Sequence, residues 1–209
     1  RYHYAELRVQ ISNEWAFLKI GLISDTRAVK PEEVPPEVVR AFEGVHMIIH
    51  AGAIHTSAVL DWLENIAPVE AVGRSSGASE GSQGVSMEGL GDARVVDQHV
   101  LEVEGHTIGV VHDLELRGMS DEIRPGFIET HLRPGQSLSK MVEEFFGTAV
   151  DIVVFGRTLY SMVEEHEGIL LINPGSPVFL GNSRKMGTVA LLEVTPGSRD
   201  VRIVDLASI

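Results

Sequence analysis

The sequence contains no cysteine among its 209 residues. Disulfides, thiolate nucleophiles, zinc–thiolate sites and iron–sulfur clusters are therefore excluded. A chain without cysteine suits a reducing compartment, and we expect a cytoplasmic protein. Long apolar runs are also absent, since residues 152–155 and 169–172 fall far below the ~18–20 residues that a membrane-spanning helix needs. We expect no membrane span, and no secretion-signal pattern opens the sequence.

Basic residues are scarce. Lysine and arginine total 17 against 30 aspartate and glutamate residues, which gives a formal net charge of −13. General binding to nucleic acid or to an anionic membrane requires a basic surface, so neither is expected. The length and the 44% apolar content predict one globular domain over residues 1–209, with residues 1–16 as an N-terminal extension.

The first third of the chain alternates between strand and helix patterns. Strands are predicted at residues 17–24, 45–50 and 69–72, and helices at residues 35–42 and 57–65, the second capped by Thr56. This order is typical of an α/β fold with a mainly parallel sheet and right-handed crossovers.

The rest of the chain begins with a glycine- and serine-rich segment, residues 73–92, which we predict to be a long flexible loop. A helix at residues 137–146, capped by Ser137, and a buried strand at residues 151–155 follow later. Three hairpins are predicted, with strands at residues 95–103 and 106–111, 162–165 and 169–172, and 188–194 and 201–205. The fold class is α/β, with two packed mixed sheets flanked by helices.

Polar segments follow the predicted buried strands, at the sheet edge where α/β proteins bind their ligands. They are Ser24-Asp25-Thr26-Arg27, His50-Ala51-Gly52-Ala53, Gly73-Arg74-Ser75, His112-Asp113, Gly156-Arg157-Thr158-Leu159 and Asn173-Pro174-Gly175-Ser176. Each segment alone is a weak signal, but their order and contexts together are specific.

The series resembles the calcineurin-like metallophosphoesterases, in particular their small bacterial and archaeal phosphodiesterase branch. KIGLISDT, IIHAG, VVFG-x-T and LLINPGS carry the resemblance, which extends over residues 18–206. It implies a sandwich of two mixed sheets. It also implies a pair of divalent metals, usually of the Mn²⁺ type, which activate a water against a phosphoester.

The segments that hold metals in that family depart from its pattern here. The family has D-x-H after the first strand, G-D after the second and G-N after the third. It has H-G-H after the fourth relevant strand, and G-H-T-H in a later loop. The resemblance therefore leaves Asp25 and His112 as vestigial metal-site positions. The substituted ligand positions are Arg27, Ala53, Arg74 (or Ser75), Arg157 and Leu159.

These substitutions remove what a two-metal centre requires. Such a centre needs a bridging carboxylate and enough ligands to hold two cations ~3.5–4 Å apart. Ala53 supplies no donor atom, and Arg27 and Arg157 carry permanent positive charges that repel a metal ion. We predict no metal, no cofactor and no family-type hydrolysis. The chain would be a pseudoenzyme that serves as a non-catalytic binding or scaffold module, as the phosphoesterase-like subunit of the retromer coat does.

The arginines leave two interpretations open. Arg27, Arg74 and Arg157 could line a cleft that binds a phosphate group, since a guanidinium binds phosphate through paired hydrogen bonds. Alternatively, Arg27 and Arg157 pair internally with Asp25, Asp113 or other nearby carboxylates.

Two enzymatic alternatives also remain. One is a metal-dependent phosphodiesterase or phosphatase with a rebuilt site that uses Asp25, His112 and either His50 or His55, with Mn²⁺ or a similar divalent pair. The other is a metal-free enzyme in which the arginines stabilise charge and His112 is the base. The expected partners are a phosphate-bearing small molecule or another protein. The resemblance also suggests a homodimer.

Overall fold

The computed structural model describes residues 17–73, 92–119, 122–178 and 187–209. Its strands are β1 Leu18–Ile23, β2 Met47–His50, β3 Val69–Val72, β4 Val95–Val96, β5 Gln98–Val103, β6 His106–Val111, β7 Ile152–Phe155, β8 Met162–His166, β9 Ile169–Asn173, β10 Thr188–Thr195 and β11 Ser198–Asp205. Its α-helices are α1 Glu37–Ala41, α2 Ser57–Glu64, α3 Phe127–His131 and α4 Leu138–Phe146. Two 3₁₀ turns lie at Pro31–Glu33 and Leu206–Ser208.

The strands form two mixed sheets, which confirms the predicted fold class. The first has the order β11-β10-β1-β2-β3-β4, and the second has the order β5-β6-β7-β9-β8. Neighbours from β1 to β4 are parallel, as are β6, β7 and β9, whereas β10, β11, β5 and β8 pair antiparallel. The parallel strands therefore direct their carboxyl ends to a common edge in each sheet.

The core has three layers. Apolar side chains from both sheets, among them Ile20, Ile49 and Val154, fill the space between them. Helices α1 and α2 cover the outer face of the first sheet, and α3 and α4 cover that of the second. A central glycine allows close packing on each outer face. A Cβ at Gly21 would lie 2.9 Å from the ring of Phe42, and one at Gly109 would lie 2.7 Å from the ring of Phe146.

Both predicted helix caps are confirmed. The Thr56 hydroxyl accepts a hydrogen bond from the amide of Ala58, and the Ser137 hydroxyl accepts one from the amide of Lys140. These contacts satisfy amides that the first helical turn leaves unpaired.

The prediction of one continuous strand at residues 95–103 was wrong. β4 and β5 are separated by Asp97 and lie in different sheets, because β4 extends the first sheet beside β3 while β5 pairs with β6. The apolar pattern continues across Asp97 because both strands are half-buried, so the pattern alone does not reveal the crossing. Helix α3 was also not predicted, since its start at Gly126 has no side-chain cap.

Two predicted segments fall outside the described residues, namely the extension at residues 1–16 and the loop, of which residues 74–91 are not described. Within the described part of the chain, no helix has the length and apolar character that crossing a membrane requires.

Candidate functional site

The loops after β1, β2, β6 and β7 meet at one buried carboxylate, that of Asp25, whose relative exposure is 0%. The amide of Asp25 donates to the carbonyl of Gly52 over 2.9 Å, which joins the first two loops. The amide of Arg157 donates to Asp25 Oδ2 over 3.0 Å and so connects the second sheet to the first. We call the group formed by Asp25, Arg27, Gly52, His112 and Arg157 the Asp25 site.

Both oxygens of the Asp25 carboxylate have donors. Oδ1 accepts from Arg27 Nε over 3.2 Å and from Arg27 Nη2 over 2.9 Å. Oδ2 accepts from the Arg157 amide, and the Ser24 hydroxyl lies 3.1 Å away. Burial raises the pKa of Asp25, but its contacts with His112 and Arg27 outweigh burial and leave the pKa below its ordinary value. The carboxylate is therefore ionised and already carries an internal counter-ion.

His112 faces the same carboxylate. Its Nε2 lies 3.5 Å from Asp25 Oδ1, a distance too long for a good hydrogen bond, and this buried nitrogen has no other partner among the described residues. Two glycines allow the ring to approach. A Cβ at Gly52 would lie 2.5 Å from the Cβ of His112, and one at Gly156 would lie 3.0 Å from its Cδ2. The loops thus accept only glycine at these two positions.

His50 lies behind the site and is fully buried. Its Nδ1 accepts from the amide of Gly52 over 3.2 Å, so Nε2 carries the hydrogen and donates to Thr26 Oγ1 over 3.1 Å. Burial lowers the pKa of His50 to about 3. His50 is therefore neutral at pH 7 and uses both ring nitrogens within the protein. His55, the other histidine of this loop, is half-buried.

Arg157 also lies beside carboxylates. Its Nη1 is 3.4 Å from Asp113 Oδ2, and its Nε is 3.5 Å from Glu122 Oε1. A hydrogen bond from Arg124, together with the Arg157 contact, holds the pKa of Glu122 below its usual value. Arg27 and Arg157 thus adopt the arrangement of the internal-neutralisation interpretation. Glu122 was not singled out in the sequence, because no motif surrounds it.

The third arginine of the predicted cleft, Arg74, lies outside the described residues.

Five of the positions that the resemblance assigns to metal ligands share an uncommon backbone conformation. They have positive φ: Asp25 (52°), Arg27 (47°), Ala53 (57°), Arg157 (70°) and Leu159 (62°). Among the other described non-glycine residues, only Glu104 and Glu167 do so, and each precedes a glycine in a hairpin turn. Left-handed conformations are unfavourable for arginine, alanine and leucine, whereas aspartate and histidine adopt them more readily. The surrounding structure imposes them here.

Asn173 and Ser176 hold the loops in this form. Asn173 Nδ2 donates to the carbonyl of Gly156 over 2.7 Å and to Thr158 Oγ1 over 3.1 Å. The Ser176 hydroxyl donates to the carbonyl of Asp25 over 3.0 Å. The residues that accept these hydrogen bonds, Gly156, Thr158 and Asp25, are all buried. The hydrogen bonds therefore leave the loops little freedom to move. The N-P-G-S segment therefore positions the loops that carry Asp25 and Arg157.

Among the described residues, the donor atoms at these loops do not fit a pair of metal ions. The described positions that match the family's ligands offer the carboxylate of Asp25, already bonded to Arg27, and the imidazole of His112. Ala53 and Leu159 have no donor atom, and no described group of three or more histidine, aspartate or glutamate side chains could hold a metal ion. His112 Nε2, which makes no hydrogen bond within the described part of the chain, adds only one ligand atom, which is too few for the ligand set of either metal.

The sequence and the fold match known proteins. The sequence profile of the calcineurin-like phosphoesterase superfamily domain matches residues 18–197. A probable metallophosphoesterase of Methanothermobacter thermautotrophicus is 28% identical over 160 residues, which cover 76% of each chain.

Two solved structures share the fold. Vacuolar Protein Sorting 29 from Cryptosporidium parvum is 18% identical and superposes with a TM-score of 0.59, covering 90% of this chain and 97% of its own. A novel archaeal phosphodiesterase is 20% identical with a TM-score of 0.56, covering 90% of this chain and 100% of its own. With the profile matching most of its length, this chain belongs to the calcineurin-like phosphoesterase superfamily.

Proposed function

We propose that this chain has lost the paired metal centre of its superfamily and acts as a non-catalytic binding or scaffold module. The observation that carries this proposal is the contact between Arg27 and Asp25. A guanidinium cannot be deprotonated in a protein, so it holds a permanent positive charge against the carboxylate. A metal ion would have to displace that charge before it could bind Asp25.

The remaining ligand positions support the same proposal. The resemblance implies a bridging aspartate where the chain has Ala53, and histidines where it has Arg157 and Leu159. Rebuilding a site from His50 would break its hydrogen bonds with Thr26 and Gly52 inside a fully buried environment. Leaving buried polar groups unpaired costs about 1–3 kcal/mol each.

An assay of phosphodiester hydrolysis tests the proposal. Wild-type protein is incubated with bis(p-nitrophenyl) phosphate in the presence of Mn²⁺ or of a chelator, and we expect equal background rates. The matched comparison is a variant that restores the family's residues, Arg27→His/Ala53→Asp/Arg157→His/Leu159→His. We expect it to bind Mn²⁺ more tightly than wild type. Metal-dependent wild-type hydrolysis that disappears in Asp25→Ala would contradict the proposal.

A partner protein is the kind of ligand that this role implies. The structural neighbour from Cryptosporidium parvum is named for vacuolar protein sorting, not for hydrolysis, and it shares the fold over 90% of this chain. Such a module would act in the cytoplasm, in keeping with a chain that has no cysteine.

A phosphate-bearing small molecule is the second candidate ligand. The observation that favours it is the side chain of Arg157, which is 47% exposed and contacts its two carboxylates only over 3.4 and 3.5 Å. Inorganic phosphate, titrated by calorimetry, should bind wild type and Arg133→Ala but not Arg157→Ala. Arg133 is a suitable control because it is exposed and distant from the site's loops in sequence. Equal binding by Arg157→Ala would exclude this ligand site.

A further inference from the structure

Strand β11 forms one edge of the first sheet. It pairs with β10 on one side over its full eight residues, and no described strand pairs with its other side. In residues 17–73, 92–119, 122–178 and 187–209, its outward backbone groups are therefore left for another strand, which is a common route to association between chains.

Two opposite charges lie near the middle of this edge. Asp200 and Arg202 are both exposed, and neither has a hydrogen-bond or ion-pair partner in the described part of the chain. Both lie on the face of β11 that is turned away from the second sheet, because the alternate residues Val201 and Ile203 pack against the core between the sheets. Opposite charges two residues apart on one strand can meet their opposites on an antiparallel copy.

The register of such a pairing is restricted. Outward backbone groups recur at every second residue, so two copies of β11 can pair only in alternate registers. The register centred on Val201 places Asp200 opposite Arg202 of the second copy. Because the two copies are related by a two-fold axis at Val201, Arg202 also lies opposite Asp200 of the second copy. A shift to either neighbouring allowed register places Asp200 opposite Asp200 or Arg202 opposite Arg202, which is unfavourable.

The neighbouring strand gives a second reason for a cation at this position. Within the chain, Asp200 lies directly across from Glu193 on β10, and like charges in that position destabilise a sheet. Lys19 on β1 lies across from Glu193 on its other side, but the Lys19 ammonium donates to the carbonyl of Glu43 over 3.1 Å. Arg202 of a second copy would bring a positive charge next to Asp200.

We propose that two copies of this chain associate through β11, antiparallel and centred on Val201, so that their first sheets form one continuous sheet. Charges of one sign on an edge strand would repel a second copy and protect the edge. Asp200 and Arg202 have opposite signs and are self-complementary. This surface is separate from the Asp25 site, so the proposal does not depend on the loss of metal.

Sedimentation equilibrium of the full chain at low salt tests this association. We expect a wild-type dimer, and for Asp200→Arg and for Arg202→Asp dimer dissociation constants at least about tenfold higher, since each variant places like charges opposite each other twice. An equimolar mixture of the two variants should dimerise, because one chain then presents two positive charges and the other two negative charges. The double variant Asp200→Arg/Arg202→Asp should also regain the dimer.

Matched controls separate this pairing from general charge effects. Glu32→Lys changes the net charge as Asp200→Arg does, and Lys30→Glu changes it as Arg202→Asp does. Both positions are exposed and lie outside the sheets. These controls should dimerise as wild type does. A wild-type chain that is monomeric at about 200 μM would overturn the proposal. A dimer that both β11 variants leave unchanged would also overturn it.

Discussion

The guanidinium of Arg27 donates two hydrogen bonds to a single oxygen of Asp25, Oδ1. The carboxylate is fully buried, whereas the arginine side chain is 35% exposed. A carboxylate that is withdrawn from water needs a counter-charge, and the chain supplies one from two residues away. The resemblance to the superfamily implies a histidine at the Arg27 position.

Removing Arg27 should destabilise the fold through Asp25. Arg27→Ala leaves a buried charge with weaker compensation, and we expect the free energy of unfolding to fall by about 1–3 kcal/mol, less than for a fully buried pair because Arg27 is partly exposed. Urea denaturation of Arg27→Ala, Asp25→Asn and the double variant measures the coupling. The double variant should lose less than the sum of the single variants. Additive losses would show that the two side chains do not interact.

His50 should make the stability depend on pH below neutrality. Its pKa in the folded protein is about 3, against an ordinary value of 6.5. As the pH falls, His50 takes up a proton in the unfolded chain near pH 6.5, before it does so in the folded protein. The contribution of His50 to the free energy of unfolding is therefore fully present above pH 6.5 and is lost as the pH falls towards 3. Between these two pH values, the free energy of unfolding should fall by about 1.4 kcal/mol per pH unit.

Unfolding free energies measured between pH 7 and 4.5 test this dependence. His50→Asn should flatten the curve, since the asparagine oxygen can replace Nδ1 as the acceptor for Gly52. His55→Gln serves as the control and should leave the slope unchanged. Equal slopes for wild type and His50→Asn would refute the assignment of this dependence to His50.

The close packing at Gly52 should make it intolerant of any side chain. Gly52→Ala would place a Cβ 2.5 Å from the Cβ of His112, so the loop or the histidine must shift. We expect a loss of at least about 2 kcal/mol by thermal or urea unfolding, since overpacking adds to backbone strain. Gly105→Ala is the matched control: its φ is also positive (80°), but nothing lies within 4 Å of the new Cβ. A similar loss for both would indicate backbone strain alone.

Much of the fold was predictable because each strand carries its own local signal. The β8–β9 hairpin was predicted from Glu167-Gly168, and α4 from Ser137 at its start, since turns and caps depend on neighbouring residues. The crossing at Asp97 was not predictable. Which sheet a half-buried strand joins depends on distant partners, here β3 and β6.

The sequence predicted which loops form the site, but not which side chains pair within it. The loops around Asp25, His112 and Arg157 follow parallel strands in both sheets, and they meet where the carboxyl-terminal edges of the two sheets adjoin. The sequence left open whether the arginines bind a ligand or pair internally, because that depends on distances of a few ångströms. The contact between Glu122 and Arg157 could not be predicted from the sequence, since no motif surrounds Glu122.

Strain at Ala53 should be measurable as a gain in stability on substitution by glycine. Ala53 has a φ of 57°, a conformation that glycine adopts without penalty. We expect Ala53→Gly to raise the free energy of unfolding by about 0.5–1 kcal/mol. Ala28→Gly, at a buried position without positive φ, should lower it. A loss of stability in both variants would show that the backbone at residue 53 is unstrained.

Calorimetric titration of Mn²⁺ into chelator-stripped protein tests most directly whether the metal centre has been lost. We predict no binding heat at metal concentrations up to about 100 μM. The Asp25 carboxylate is bonded to Arg27, and Ala53 stands where the resemblance implies the bridging carboxylate. Binding of two ions per chain, abolished in Asp25→Ala, would contradict the account.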